Sequence, residues 1–402
     1  MNDITIIGGG LVGLCAALVL QHPARRITII EAGNFDPQPA QGLATRSIAL
    51  SISSVQIFRA LGLWPAIEAQ AAAIRHIHVS ARGRWGVTRL HADDYALDAL
   101  GYVVENQVLS DCLLQAVQAS DLIELQQNAG FESIDQDGLV KIGYRLENRR
   151  RRLQTRLALV ADGAQSQARS ALGIDHQRID YGQSVVISNV EVDMPLADTA
   201  YERFTTQGPL AMLPLGGRRY ACVWTLKPEL AAEVCGLDDV GFAAALQDSF
   251  GFRLGLIETV SARFSMPLQR TRAEALQAGR CLLIGNAANA LHPVAGQSFN
   301  LALRDVAGLY ELLCDHSLTD LDDAGIAALA DEYERQRVSE QRQVIRYGDG
   351  LVSMFSNELP LLDQVRAAGL GLLDLLPALK AQAALSGMGM TFGGNRLLRG
   401  HL

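Results

Sequence analysis

The sequence predicts an α/β fold, and three features carry that prediction. The first is an apolar β-branched run, Ile4-Thr5-Ile6-Ile7, which breaks into Gly8-Gly9-Gly10 and resumes as the apolar stretch Leu14–Leu20. The second is a pair of later apolar runs, Leu157-Ala158-Leu159-Val160-Ala161 and Cys281-Leu282-Leu283-Ile284, each ending in a glycine-containing turn. The third is a block of Val-, Ile- and Trp-rich segments between them, punctuated by Pro and Gly-Gly turn signals. Together they describe a Rossmann-type domain with a dinucleotide at its strand ends, an inserted β-sheet and a helical C-terminal tail.

Composition bounds the function. At roughly 150 residues per domain, 402 residues allow two or three domains. The chain is 49% hydrophobic and 19% charged, and its mean hydropathy of +0.12 makes it globular and slightly apolar for an enzyme. A net charge of −8 argues against a nucleic-acid partner. The six cysteines (15, 112, 222, 235, 281, 314) form no C-x-x-C pair and have no histidine at ligand spacing. They read as reduced thiols of a cytoplasmic protein without a metal site. From Ile4 to Ala24 no residue is charged, which mimics a signal peptide or membrane span. The three glycines and the preceding Asp3 favour a buried strand, a turn and a buried helix instead.

At that turn Gly8, Gly10 and Gly13 stand in G-x-G-x-x-G spacing. They serve a tight turn, close backbone approach to a pyrophosphate and close helix-to-strand packing, and the helix start presents free N–H groups to the phosphates. A second strand, Ile27–Ile30, ends in Glu31, 18 residues after Gly13, where a carboxylate accepts hydrogen bonds from a ribose. This order of strand, turn, helix, strand and acid points to dinucleotide binding and leaves NAD and FAD open.

The strand at 157–161 runs into Asp162-Gly163-Ala164-Gln165-Ser166, with Arg169 beyond, and the strand at 281–284 runs into Gly285-Asn286-Ala287-Ala288-Asn289-Ala290-Leu291-His292-Pro293-Val294-Ala295-Gly296-Gln297-Ser298-Phe299-Asn300. With the first motif, these resemble the three fingerprints of the FAD-dependent aromatic hydroxylases, the para-hydroxybenzoate hydroxylase-like flavoproteins, over residues 4 to about 306. Thr45-Arg46-Ser47-Ile48-Ala49-Leu50-Ser51, Leu61-Gly62-Leu63-Trp64, Gly208-Pro209-Leu210-Ala211-Met212-Leu213-Pro214-Leu215 and Asn300-Leu301-Ala302-Leu303-Arg304-Asp305 are similar to the ubiquinone-biosynthesis hydroxylases within that superfamily. Gly285-Asn286-Ala287-Ala288 followed by Leu291-His292-Pro293 resembles the 2-polyprenyl-6-methoxyphenol hydroxylase branch.

The resemblance implies a monooxygenase. NADPH or NADH reduces FAD, O2 adds at flavin C4a, and the distal oxygen of the resulting hydroperoxide passes to the ring of an apolar polyprenylated phenol. It implies cofactor contacts at Gly8, Gly10, Gly13, Glu31, Arg46, Asp162, Gly163, Gly285, Asn286, Gly296, Gln297, Ser298 and Asn300, and catalytic roles for Pro293, against the flavin face, and Arg46. Residues from about Gln297 to Leu313 read as a helix whose N-terminus favours an anionic reduced flavin.

Other readings compete. Asp162 could cap the following helix, Arg46 could be a solvated loop arginine, and His292 a core histidine. Arg149–Arg152 reads as a solvated hairpin tip, with NADPH phosphate or anionic lipid as the alternative. Two positions depart from the wider family. Asn286 replaces an aspartate, keeping an acceptor and a donor but losing the charge. Ser298 replaces a glycine, and if that turn needs positive φ the serine carries about 1 kcal/mol of strain.

Motifs at both ends make the FAD domain discontinuous, at 1–75, 100–180 and 273–345. The substrate domain, with a mixed sheet, is 76–99 and 181–272; strands at Val185–Met194, Pro209–Leu215 and Arg219–Leu226 roof the flavin. Residues 331–347 read as a polar helix with Asp331/Arg335 and Glu334/Arg337 pairs. The helical segment 346–402 is leucine-dense from Leu351 to Leu379, which suits packing or a reversible peripheral contact with the inner face of the cytoplasmic membrane. Membership of a ubiquinone-biosynthesis complex is the corresponding partner expectation, and homo-oligomerisation stays open. The rival functions are a sister hydroxylase acting at another ring carbon, a non-catalytic flavin-binding assembly subunit, and a flavoprotein oxidase or reductase sharing the first motif only.

Overall fold

The computed structural model describes residues 2–35, 46–83, 87–291, 297–314, 318, 320–356 and 395–400, with residues 346–356 as helix backbone alone. The expected tail contact, Pro293, Gly296 and His292 lie largely or wholly outside the described residues.

The apolar N-terminal run forms the strand Asn2–Ile7, buried because it is the middle of a sheet. It pairs in parallel with Ile27–Ile30 on one side and Arg149–Val160 on the other. Ile123–Gln126 and Cys281–Leu283 extend the parallel order outward. Parallel strands covered on both faces read as continuous Val/Ile/Leu runs, as Ile4–Ile7, Ile27–Ile30, Leu157–Val160 and Cys281–Leu283 largely do, whereas the outer strand Ile123–Gln126 alternates Ile-Glu-Leu-Gln. The helix Leu11–Leu20 packs on this sheet with eight buried residues from Gly13 to Leu20. All five parallel strands point their carboxyl ends the same way, so the turns after Ile7, Ile30, Val160 and Leu283 share one rim of the sheet. Leu139–Leu146 and Ala129–Asp137 add an antiparallel flank.

A second sheet of nine strands has the order Asn289–Ala290, Phe264–Ala273, His176–Val192, Arg219–Leu226, Gly208–Pro214, Thr199–Thr205, His76–Ala81, Val87–His91, with Ile257–Val260 on the flank of His176–Val192. One face buries Val186, Met212, Tyr220 and Trp224 under the helices Pro228–Gly236 and Asp239–Phe250. A small antiparallel sheet of Ser47–Ser51, Ala72–Ile74 and Gly101–Glu105 meets its other face, where Ile74 and Val103 pack with Ala200, Leu215 and Ala221.

Two expected details differ. The hairpin turn is Glu147-Asn148, with φ of 48° and 62° as a tight two-residue loop requires; Arg149–Arg152 follow it as exposed strand residues. The polar helix at 331–347 lies within Asp323–Ser356, but its expected ion pairs do not form. Glu334 instead accepts the Leu276 backbone N–H at 2.7 Å, a donor that would otherwise lack a partner. Asp331 accepts from the Gln277 amide at 3.0 Å, and Arg335 pairs with Glu332 at 2.6 Å.

Arg337 turns inward because its face of the helix continues the buried stripe of Ile326, Ala330 and Tyr333. Its guanidinium meets Asp305 at 2.7 Å and also Glu340, and Gln341 donates to Asp305 at 3.1 Å. Burial opposes the charge, yet the two carboxylates outweigh it and the pKa of Arg337 rises. The pair fastens the Gln297–Cys314 helix to Asp323–Ser356. Arg337→Ala leaves Asp305 buried without its cation, and unfolding in urea is expected to show a loss of about 3–5 kcal/mol.

Candidate functional site

Three glycine turns are drawn together by contacts that a side chain would forbid. Gly8 follows Ile7 with φ +105°, and a Cβ there would stand 2.5 Å from the Ala161 carbonyl oxygen. A Cβ on Gly13 would stand 2.0 Å from the Gly8 carbonyl oxygen. Gly285 lies so close to Val12 that a Cβ would come within 3.1 Å of its methyl group. The first motif thus touches the second through backbone, at Gly8 and Ala161, and the third through the Val12 side chain, at Gly285. Arg169, almost fully buried, links the second motif to the third by donating to the Ala164 and Ala287 carbonyls at 3.1 and 2.8 Å.

Around this junction several polar groups have spare valence. Gly10 is the N-cap of the Leu11–Leu20 helix, no side chain caps it, and a Cβ on Gly10 would meet nothing within 4 Å. The Glu31 carboxylate accepts one backbone N–H on each oxygen, Gly9 at 2.5 Å and Gly33 at 2.8 Å, leaving a lone pair on each. Asp162 helps to cap the helix Gln167–Ala171: Ser166 is its N-cap, accepting the Arg169 N–H, and Asp162 Oδ2 accepts the Ala168 N–H at 3.0 Å. Its Oδ1 is buried without a partner. Gly163 faces open space and Asn286 is exposed beside Gly285.

The helix Gln297–Cys314 begins at this rim. Asn300 is buried and ties it to the small sheet, accepting from Ser51 N–H at 2.9 Å and Ser54 hydroxyl at 2.7 Å and donating to the Ala49 carbonyl at 2.8 Å. Ser298 is helical and not among the residues at positive φ, so the strain that a positive-φ turn would impose is absent. Its hydroxyl bridges to the backbone of Leu291 at 3.1–3.2 Å. Gln297 is half-buried at the first position. Arg46 is also half-buried: Nη2 lies 3.0 Å from the Met266 sulfur, Nε has no partner, and burial lowers its pKa.

Met266 belongs to the second sheet, in register with Val185 on the face opposite the Trp224 core. That face looks toward the nucleotide rim and carries the half-buried Ile187, Ala211, Leu213 and Val223. Sequence reasoning missed two polar residues near it. Asn289 is buried with neither end of its amide partnered; it sits within the third motif, where its place among alanines was the available signal. Glu202 lies on Thr199–Thr205, a segment whose Tyr, Arg and Glu content hides a strand. Among the described residues no three His, Cys, Asp or Glu could hold a metal, and no helix is long and apolar enough to cross a membrane.

Residues 1–347 match the family described as FAD binding domain. The chain is 32% identical over 402 residues to ubiquinone hydroxylase UbiL of Rhodospirillum rubrum, covering 99% of this chain and 92% of that protein. The chain belongs to the FAD-dependent aromatic-ring hydroxylases. Within this family it is also 30% identical to 3-demethoxyubiquinol 3-hydroxylase of Escherichia coli, over 97% of this chain and 99% of that one. The hydroxylase fold is shared with p-nitrophenol 4-monooxygenase PnpA of Pseudomonas putida, at TM-score 0.79 and 18% identity over 96% of this chain and 98% of that one.

The hydroxylase cofactor, FAD, fits what the rim offers: an uncapped helix start behind an open glycine, a carboxylate with free lone pairs at the next strand end, and a buried oxygen of Asp162 lacking a donor. The close contacts carry their own expectation. Gly13→Ala forces a methyl onto the Gly8 carbonyl, and thermal or urea unfolding is expected to show a loss of about 3 kcal/mol, the upper end of ordinary overpacking costs.

Proposed function

We propose that this hydroxylase oxidises the aromatic ring of a polyprenylated phenol in ubiquinone biosynthesis, most like the 2-polyprenyl-6-methoxyphenol branch. The observation that carries the reading is the pairing of a dinucleotide rim with an apolar, half-buried sheet face across from it. An apolar wall suits a prenylated ring and offers no cluster of basic groups for an acidic substrate. The names of the relatives support the same pathway. The 2-polyprenyl-6-methoxyphenol assignment rests on Gly285-Asn286-Ala287-Ala288 and Leu291-His292-Pro293.

The residues divide the work. Gly8, Gly10, Gly13 and the helix start would take the pyrophosphate, Glu31 the ribose, and Asp162 with Gly163 the neighbouring stretch of FAD. Gly285, Asn286, Gly296, Gln297, Ser298 and Asn300 would frame the flavin end, with Arg46 and Pro293 toward the reacting ring. When bound, FAD supplies activated oxygen after reduction by NADH or NADPH. The protein positions the ring and excludes water. Residues 1–75, 100–180 and 273–345 form the proposed FAD domain, 76–99 and 181–272 the substrate domain, and 346–402 the C-terminal segment. The leucine-dense stretch 351–379 is our proposed peripheral contact with the bilayer in which such a substrate resides.

Two measurements test this reading. Purified holoenzyme given NADH or NADPH, O2 and a 2-polyprenylphenol is expected to release a product heavier by one oxygen atom, read by mass spectrometry. FAD binding without phenol-stimulated nicotinamide oxidation would assign the chain to a flavin-binding assembly role instead. Gly10→Ala adds a methyl where the protein has room and the pyrophosphate is expected. Its unfolding midpoint should stay within about 1 kcal/mol of the parent, while FAD affinity, read by flavin fluorescence, falls about tenfold or more.

A further inference from the structure

Among the described residues the apolar face of the second sheet carries a carboxylate in its middle rows, Glu202, while Glu191 on the same face sits near a strand end in register with Arg219 and accepts from the Thr259 hydroxyl at 3.1 Å. On the strand of Glu202, Tyr201 and Arg203 point the other way, Tyr201 edge-on to Phe250 with ring centroids 5.6 Å apart, and Arg203 donating to the Ser249 carbonyl at 3.2 Å. Glu202 stands in register with Ala211 on one side and Val79 on the other. The row continues through Val223, Ile187 and Phe264, and all six residues are half-buried.

The rows on either side fix where this face looks. One contains Met266, whose sulfur touches Arg46 at the nucleotide rim. The other contains Ala200 and Ala221, which pack on Ile74 and Val103 of the small sheet. Glu202 therefore projects from the same face as Met266, the face that looks toward the cofactor rim, on a strand four places across the sheet from it. Neither of its oxygens forms a hydrogen bond or ion pair with any described residue. The nearby cation Arg203 and, on the adjacent strands, His78 and Arg89 lie on the opposite face.

We propose that Glu202 is a catalytic residue that receives the phenolic hydroxyl of the substrate. This rests on the hydroxylase reading above. Its carboxylate accepts the O–H hydrogen bond; as oxygen is transferred to the ring, the O–H bond breaks, the proton passes to a carboxylate oxygen, and the electron pair stays on the phenol oxygen. Electron density at the ortho and para carbons rises, which is what attack on an electrophilic oxygen needs. The oxidant is that of the proposed reaction, so the step moves one proton and no electrons of its own. Burial alone pushes the carboxyl up to about 7. An acceptor that ionises near working pH is well matched to removing a proton in a transition state.

The test uses FAD-loaded enzyme, 2-farnesylphenol and its O-methyl ether. Wild type is expected to bind the phenol about tenfold or more tighter than the ether, by flavin absorbance, and its kcat to rise with pH through about 7 as Glu202 ionises. Glu202→Gln should lose that rising limb and on the order of 10²-fold in kcat with little change in KM. Glu202→Leu should bind phenol and ether alike. A retained pH limb in Glu202→Gln, or retained discrimination in Glu202→Leu, overturns the proposal. So does loss of bound FAD or of thermal stability in both variants, which would make Glu202 structural. Wild type that never hydroxylates the phenol rejects the monooxygenase reading itself, whereas wild type that hydroxylates it with Glu202→Gln equally fast rejects this inference alone.

Discussion

The site depends on the backbone of Gly13 lying against the carbonyl of Gly8, with Gly8 in turn lying against Ala161. These contacts bring the first helix down onto its strand and the first strand end onto the third. Without them the helix start could not sit beside Asp162 and Gly285. Glycine makes the closeness possible and also makes it loose, since a residue without a side chain gives up the most conformational freedom on folding. The looseness is offset by long polar side chains that reach across the turns. Arg169 joins the second turn to the third, and Asn300 joins the Gln297–Cys314 helix to the strand after Arg46.

The two sheets are used differently. In the parallel sheet the strand edges matter, because backbone and turn residues line the rim. In the nine-stranded sheet the face matters, because alternate side chains form a wall. Its other face is filled by Trp224, Tyr220 and Phe242 under two helices, so the wall is held flat from behind and need not pack in front. That leaves the front residues half-buried and available. The Arg337–Asp305 pair has a comparable supporting part: it holds the helix that starts at the rim against the long helix behind it.

The nucleotide half was legible because its elements obey short-range rules. Continuous apolar runs gave the strands at Ile4, Ile27, Leu157 and Cys281, and the glycine spacing gave the turn. The strands at 185–192, 208–214 and 219–226 were visible for the same reason. Thr199–Thr205, His76–Ala81 and Val87–His91 were not, because their alternation mixes Tyr, Arg, His and Glu with few aliphatics, and their pairing partners are distant in the chain. Glu202 escaped with its strand. Ion pairs on the long helix were misread because spacing on a helix surface says nothing of which face will be covered; a Leu276 N–H in need of an acceptor decided where Glu334 went. Asp162 proved to serve as a cap and still hold a second oxygen in reserve, two uses that the sequence could only set against each other.

Leu159 and Leu282 are neighbours across the parallel sheet, yet six of the nine strands of the second sheet are strung between them in the chain. The rim therefore cannot close until the chain has been made past Gly285, after the intervening strands of the second sheet have been synthesised. Such distant pairing is slow to form, and until it forms the edge of Arg149–Val160 is bare at Ala158–Val160, the part that the hairpin partner Leu139–Leu146 does not cover. Completion of the rim is thus a late event in folding, set by the length of chain that separates its second and third turns.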